Sequence, residues 1–243
     1  MSHQFSKFLH SADADTIPEE MLGLGRKWLL DLLGVATGAT GTAMSRLIRN
    51  HAAEHFAPNQ RKAAILFDGR LVSPGGAALA GGMTIDALDA HDGHKLTKGH
   101  VGCGVLPALL AFTQAEKLTD DRAFLASLVV GYEIGTRAGI ALHRTASDYH
   151  TSGAWIAIAT AALGARVMKL DTARTRDAIG IAEYHGPRSQ MMRVIDQPTM
   201  LKDGSGWGAM AGVSAAYLAA GGFTGAPALT VEGDDVSDLW GDL

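Results

Sequence analysis

The sequence predicts an all-α fold, a compact multi-helix domain spanning residues 1–243. Apolar residues recur at three- and four-residue spacing in segment after segment, and strand-like alternation is almost absent. Glycine is abundant, with 30 in 243 residues, while aromatic residues make up only 6%. A core with so few rings must be filled by Ala, Leu, Gly and Val in closely packed elements. No Pro/Ser-rich linker, internal repeat or low-complexity tract divides the chain, so one domain is expected. A hydrophobic fraction of 47% beside 19% charged residues excludes a disordered chain.

The elements follow in order. Ile17-Pro18-Glu19-Glu20 opens a helix, with Thr16 as its N-cap and Pro18 near the first helical position. Met21, Leu24, Trp28, Leu29, Leu32 and Val35 continue it to the Gly34–Gly41 region. Met44 to Phe56 repeats the pattern through Leu47, Ile48 and Ala52. Ala63 to Phe67, followed by Asp68-Gly69, reads as a short strand and turn. Pro74 opens a nearly charge-free Ala/Gly helix through about Ala87. Pro107–Glu116, Asp120–Gly139, Thr151–Met168 and Thr172–Ala182 complete a set of about eight helices, together with one near Gly206–Ala220.

Several function classes drop out. The chain carries 21 Lys+Arg against 25 Asp+Glu, and its pI is near 6.2, so the basic stripe of a nucleic-acid binder is missing. The single cysteine, Cys103, excludes an internal disulfide framework and a Cys-rich zinc site, and reads as a packed small residue. Residues 1–20 lack the apolar stretch of a secretory signal, so the cytoplasm is expected. Ser205–Val231 is free of charge and long enough for a bilayer, but Gly221–Pro227 breaks it. A buried helix is expected there, not a membrane span.

Three polar segments interrupt the apolar helices. The densest, Asp86 to His100, holds Asp86, Asp89, Asp92, His91, His94, His100, Lys95 and Lys98. Charges set between apolar elements are costly to bury unless paired, so the segment is either a site or a solvated loop. A metal reading uses His91 and His94 with Asp89 and His100 near, although the ligand spacing is irregular. In the second segment, Asp148 to Ala154, Thr151 or Ser152 serves as an N-cap and sets His150 at the positive end of a helix. The alternative is a surface histidine. In the third, Met200 to Gly208, a Gly-rich backbone leads into a helix where amides and Lys202 can receive an anion. The alternative is an ordinary solvated lysine. Glu183–Arg188 and Met191–Arg193 read as a helix end and loop at the rim.

Together these segments resemble the MmgE/PrpD family, over essentially the whole chain. The resemblance rests on Leu88-Asp89-Ala90-His91-Asp92-Gly93-His94, Gly99-His100, Pro107 to Ala111, Gly131-Tyr132-Glu133, Tyr149-His150, Lys202 and Gly222-Phe223-Thr224-Gly225, in that order. Members of that family include 2-methylcitrate dehydratase, cis-aconitate decarboxylase and iminodisuccinate epimerase. The resemblance implies a large helical domain, a smaller α/β lid and an active site between them. It places Asp89, His100, His150 and Lys202 on catalytic positions, and it implies neither a metal nor an organic cofactor. Lys98, Lys95, His94 and Asp92 are expected to line the substrate. This sequence departs from the family where Asp92-Gly93-His94 stands for Asp-Asp-Thr-His, and where Lys202-Asp203-Gly204-Ser205 stands for Lys-x-x-His.

Family members are nearly twice as long, so either this sequence is the helical part of a longer protein or a second polypeptide supplies the lid, and of the two a split, oligomeric enzyme is expected. The implied activity is a lyase, a dehydratase or decarboxylase acting on a small di- or tricarboxylate, with no nucleic acid and no membrane involved. In it, His150 or His100 transfers the proton, Lys202 stabilises the enolate-like intermediate and Asp89 orients an imidazole. The alternatives are an epimerase of an amino- or imino-dicarboxylate, a non-catalytic helical subunit, and a metal-binding protein using His91, His94 and His100.

Overall fold

The computed structural model describes residues 1, 3–241 and 243, and it is all-α apart from one two-stranded ribbon. The first three helices are α1 (His3–Ser11), α2 (Glu19–Ala39) and α3 (Ala43–His55). The ribbon of β1 (Ala63–Ala64) and β2 (Leu71–Val72) follows, antiparallel with Ala63 opposite Val72. Then come α4 (Pro74–Asp86), α5 (Gly102–Ala115), α6 (Asp121–Thr145), α7 (Gly153–Val167) and α8 (Thr172–His185). The chain continues through the short α9 (Met191–Asp196), α10 (Ser205–Ala220), α11 (Leu229–Glu232) and α12 (Ser237–Trp240).

Three starts show how the helices are set. Ser73, Asp120 and Asp171 cap α4, α6 and α8 by accepting amides of the first turn. Thr16 does not cap α2: Pro18 holds the N-cap position with no side-chain bond. The Thr16 hydroxyl bonds Asp13 instead, closing a tight local turn. Helix α1 was not anticipated. It is short, and Arg166 docks it by donating to the Leu9 and Ala12 carbonyls.

Helices α4, α5 and α7 are apolar nearly all round and buried, as core helices are. Helix α10 packs mainly on α7, α4 and α8. Glycine makes these approaches possible. A Cβ on Gly212 would stand 1.8 Å from the Thr160 hydroxyl, and one on Gly208 would stand 2.3 Å from the Gly153 carbonyl. Gly81 meets Pro107 across the α4–α5 contact in the same way. The sequence stretch 205–231 resolves into buried α10, a loop and α11. Among the described residues only α6 is long and apolar enough to cross a membrane, and most of it is packed inside the fold.

Candidate active site

The loops entering α5, α7 and α10 converge, and with the C-terminal end of α4 they bring Asp86, Asp89, His91, His100, Ser152 and Asp203 together. His100 lies at the centre. Its Nε2 stands 3.3 Å from Asp89 Oδ1 and 3.6 Å from Asp203 Oδ2, and its Nδ1 bonds the Asp92 carbonyl. Its backbone is fixed on both sides: the amide donates to Ser152 Oγ at 3.0 Å, and the carbonyl accepts from Trp155 Nε1 at 2.7 Å. The Ser152 hydroxyl in turn donates to Asp203 Oδ2 at 2.5 Å. Behind His100 lies His91, ring centroid to ring centroid 4.1 Å. Beyond that, His91 Nε2 faces Asp86 Oδ1 at 3.8 Å, with both side chains sealed from solvent.

The charges follow from this packing. Burial alone would depress the His100 imidazole, but the bond to the Asp92 carbonyl and the charges of Asp203, Asp92 and Asp86 outweigh it and hold it above the ordinary value. Burial, and then the His100 charge, bring His91 down to about 4. Burial and the neighbouring charge of Asp203 push Asp86 up to about 7. Two imidazoles 4.1 Å apart thus hold their protons very differently, as acid–base sites arrange. Burial also pushes the Cys103 thiol well above its ordinary value, so it stays protonated, as expected of a packed residue.

A groove of about 1040 Å³ opens beside the cluster, lined by His150, His185, Arg188, Arg193, Lys202 and Trp207. Among the described residues none of its three permanent cations, Arg188, Arg193 and Lys202, has an ion pair. His150 Nδ1 is buried and has no hydrogen-bond partner. The segment around it is held by the backbone, with Thr151 N donating to Ser189 O and Met191 N to Tyr149 O. A second groove of about 700 Å³, between Phe56, Arg61, Met210 and Tyr217, contains no imidazole or carboxylate in its lining. The first groove, by contrast, has both kinds of group in its lining, with Asp148 and Asp196 beside His150 and His185.

Of the residues expected from the sequence, Asp89 and His100 sit in the cluster, while His150 and Lys202 sit in the adjoining groove. The junction is the peptide between Lys202 and Asp203, and the Lys202 charge is felt at His91. Lys98 is exposed, with Nζ 5.9 Å over the Tyr149 ring and its carbonyl bonded by the Tyr149 hydroxyl. Asp92 does structural duty: Oδ2 accepts the Val101 and Gly102 amides at 3.2 Å each, at the start of α5, where a negative charge is favoured. His94 and Lys95 are exposed in a tight turn closed between His94 and Gly99, and the His94 ring accepts the Thr97 amide. The metal reading is changed in membership. Asp89, His91 and His100 come within reach of one another, without His94.

Ser152 does stand at the N-cap of α7, but it does not cap, because its hydroxyl is engaged by Asp203 and the His100 amide. Asp86, Ser152 and Asp203 were missed as site residues by sequence reasoning. Each acidic one had a signal: Asp86 is the only charge between Pro74 and Leu88, and Asp203 is the last before the charge-free stretch 205–231. Backbone strain marks the same place. Among the described residues six non-glycine ones have positive φ; Lys117 and Lys169 close helix ends and Phe67 makes the hairpin turn. The other three are Asp89, Lys98 and Lys202, in the loops of the site.

The family description of the MmgE/PrpD N-terminal domain matches residues 3–238. The chain is also similar to the cis-aconitate decarboxylase-like protein oryM of Aspergillus oryzae (strain ATCC 42149 / RIB 40), at 26% identity over 181 residues. That match takes in 68% of this chain and 36% of the relative.

Proposed function

The chain belongs to the MmgE/PrpD family, and from that premise we propose that it is the helical part of a lyase acting on a small di- or tricarboxylate. The single observation that carries the reading is the pairing of an acid–base cluster with a groove of unpaired cations at the Lys202–Asp203 junction. A dianion or trianion loses its hydration on binding, and charge-assisted bonds of roughly 1.5–3 kcal/mol each offset that loss. Lys202, Arg188 and Arg193 supply them.

The reaction class is proton transfer next to a carboxylate, followed by dehydration or decarboxylation. His150, with its free buried Nδ1, is suited to take the α-proton. His100, whose imidazole the Asp92 carbonyl bond and then the charges of Asp203, Asp92 and Asp86 hold above its ordinary value, is suited to deliver one to the leaving group. Lys202 stabilises the enolate-like charge between these steps, and Asp89 orients His100. In this reading a lid, carried by a partner subunit or by the rest of a longer chain, closes the groove. Epimerisation of an amino- or imino-dicarboxylate uses the same first step and is the second reading.

The test is co-expression with a lid-bearing partner and assay on citrate-like, aconitate-like and amino-dicarboxylate substrates. Lys202→Ala and His150→Gln are expected to cut turnover by about 100-fold or more with folding intact. Near-normal rates in both would remove the assignment.

A further inference from the structure

We propose that Asp89, His91 and His100 form a binding site for a borderline divalent cation such as Zn²⁺ or Co²⁺. This departs from the absence of a metal implied by the resemblance, and it does not rest on the lyase reading.

The ligand atoms of the three residues all lie within 4.8 Å of one another, and the Asp89–His100 pair is already at 3.3 Å. His91 carries the second, independent observation. Its side chain is 0% exposed, yet neither ring nitrogen has a hydrogen-bond partner. An imidazole sealed from water with both nitrogens idle is costly, and a metal ion is one group that satisfies it. Two imidazoles and one carboxylate make a set that favours zinc, cobalt and ferrous ions over magnesium or calcium, which prefer oxygen.

The surroundings are those that hold metal ligands in place. His100 Nδ1 is anchored on the Asp92 carbonyl, which aims Nε2 at Asp89. His91 Nε2 is backed by Asp86 at 3.8 Å. Asp203, at 3.6 Å from His100 Nε2, adds a further negative charge. Lys202 opposes with one positive charge felt at His91, but the nearby carboxylates outnumber it. Access is open through Asp89, whose side chain is 57% exposed. In the loaded chain His100 Nε2 is a ligand and carries no proton, so loading and proton delivery by His100 exclude one another.

The experiment is an anaerobic Co²⁺ titration of the purified, chelator-treated chain with no substrate present, followed by visible d–d absorption and then Zn²⁺ displacement. One equivalent is expected to bind at the cluster. His91→Ala is expected to weaken it by roughly 100-fold and Asp86→Asn by roughly 10-fold. Should His91→Ala fail to fold, Asp89→Ala at the exposed edge gives the same readout, with a loss of roughly 100-fold expected. The surface pair His51 and His55, ring centroids 4.7 Å apart on α3, is the competing locus. His51→Ala is expected to leave the affinity unchanged. Binding that survives both His91→Ala and Asp89→Ala, binding that vanishes with His51→Ala, or no binding at millimolar Co²⁺ each overturns the proposal. Activity enters none of these readouts, so failure here leaves the lyase reading standing, and the reverse.

Discussion

The Ser152 hydroxyl donates to Asp203 Oδ2 at 2.5 Å, with both residues buried, and Ser152 Oγ itself accepts the amide of His100. One hydroxyl therefore ties the loop before α7 to the loop before α10 and to the segment before α5. Removing it leaves a buried carboxylate short of a donor and an amide short of an acceptor. Ser152→Ala is expected to cost about 2–3 kcal/mol in urea unfolding, more than a typical single hydrogen bond. Wild-type stability in that variant would mean that the three loops are held by other contacts.

Glycines of the helix interiors divide into two kinds. Gly34 lies exposed within α2, and an added Cβ would meet nothing within 4 Å. Gly34→Ala is expected to raise stability by roughly 0.5–1 kcal/mol. Gly212 touches the Thr160 hydroxyl and the α7 backbone, so Gly212→Ala forces α10 away from α7. A loss of about 3 kcal/mol is expected. Thermal melts of the two variants should move in opposite directions.

Acid sensitivity is expected at α1. Burial, and then the charge of Arg166, hold the His10 imidazole below its ordinary value of 6.5. The folded chain therefore binds fewer protons here than the unfolded chain just below pH 6.5. The His10 contribution is intact above that value, is lost as pH falls through the window below it, and levels off beneath the depressed folded value. The melting temperature of the native chain should fall more between pH 7.5 and pH 5.5 than that of His10→Gln. Parallel pH curves would show that His10 does not report on folding.

Arg166 joins α1 to the body through the Leu9 and Ala12 carbonyls and through Ser127 Oγ at 3.0 Å. Arg166→Met keeps most of the stem and removes the donors. Amides of α1 are expected to exchange with deuterium at least about tenfold faster, the factor that follows from a loss of about 1.4 kcal/mol. Helix α8 should keep its protection; loosening of α1 and α8 together would place the role of Arg166 elsewhere.

The long helices were legible because their burial is periodic or complete, as in α2 and α7, and both signals survive without coordinates. Helices α1, α9, α11 and α12 were not, since four to nine residues give too few turns to show a period. The site was legible by segment. Polar residues set between apolar helices brought out the loops, and the family resemblance picked Asp89, His100, His150 and Lys202 within them. Neither could say which side chains of those loops turn inward. Asp203 shows why: it lies between Lys202 and Gly204, both at positive φ, and that local backbone choice sends its carboxylate to His100 and Ser152. His94 and Lys95 show the converse, polar residues of the densest segment that a tight turn carries outward.

Where Gly208 lies against Gly153, no side chain stands between the two helices, so no rotamer change can ease them apart. A Cβ on Gly153 would stand 2.6 Å from the Gly204 carbonyl. The arms that carry His150 and Lys202 are thus riveted at their roots, like the jaws of a fixed-gauge caliper. Divergence can redecorate the groove wall at Arg188, Arg193 or Trp207 and so change what fits. The gauge between His150 and Lys202 is set by bare backbone, and it changes only if those glycines do.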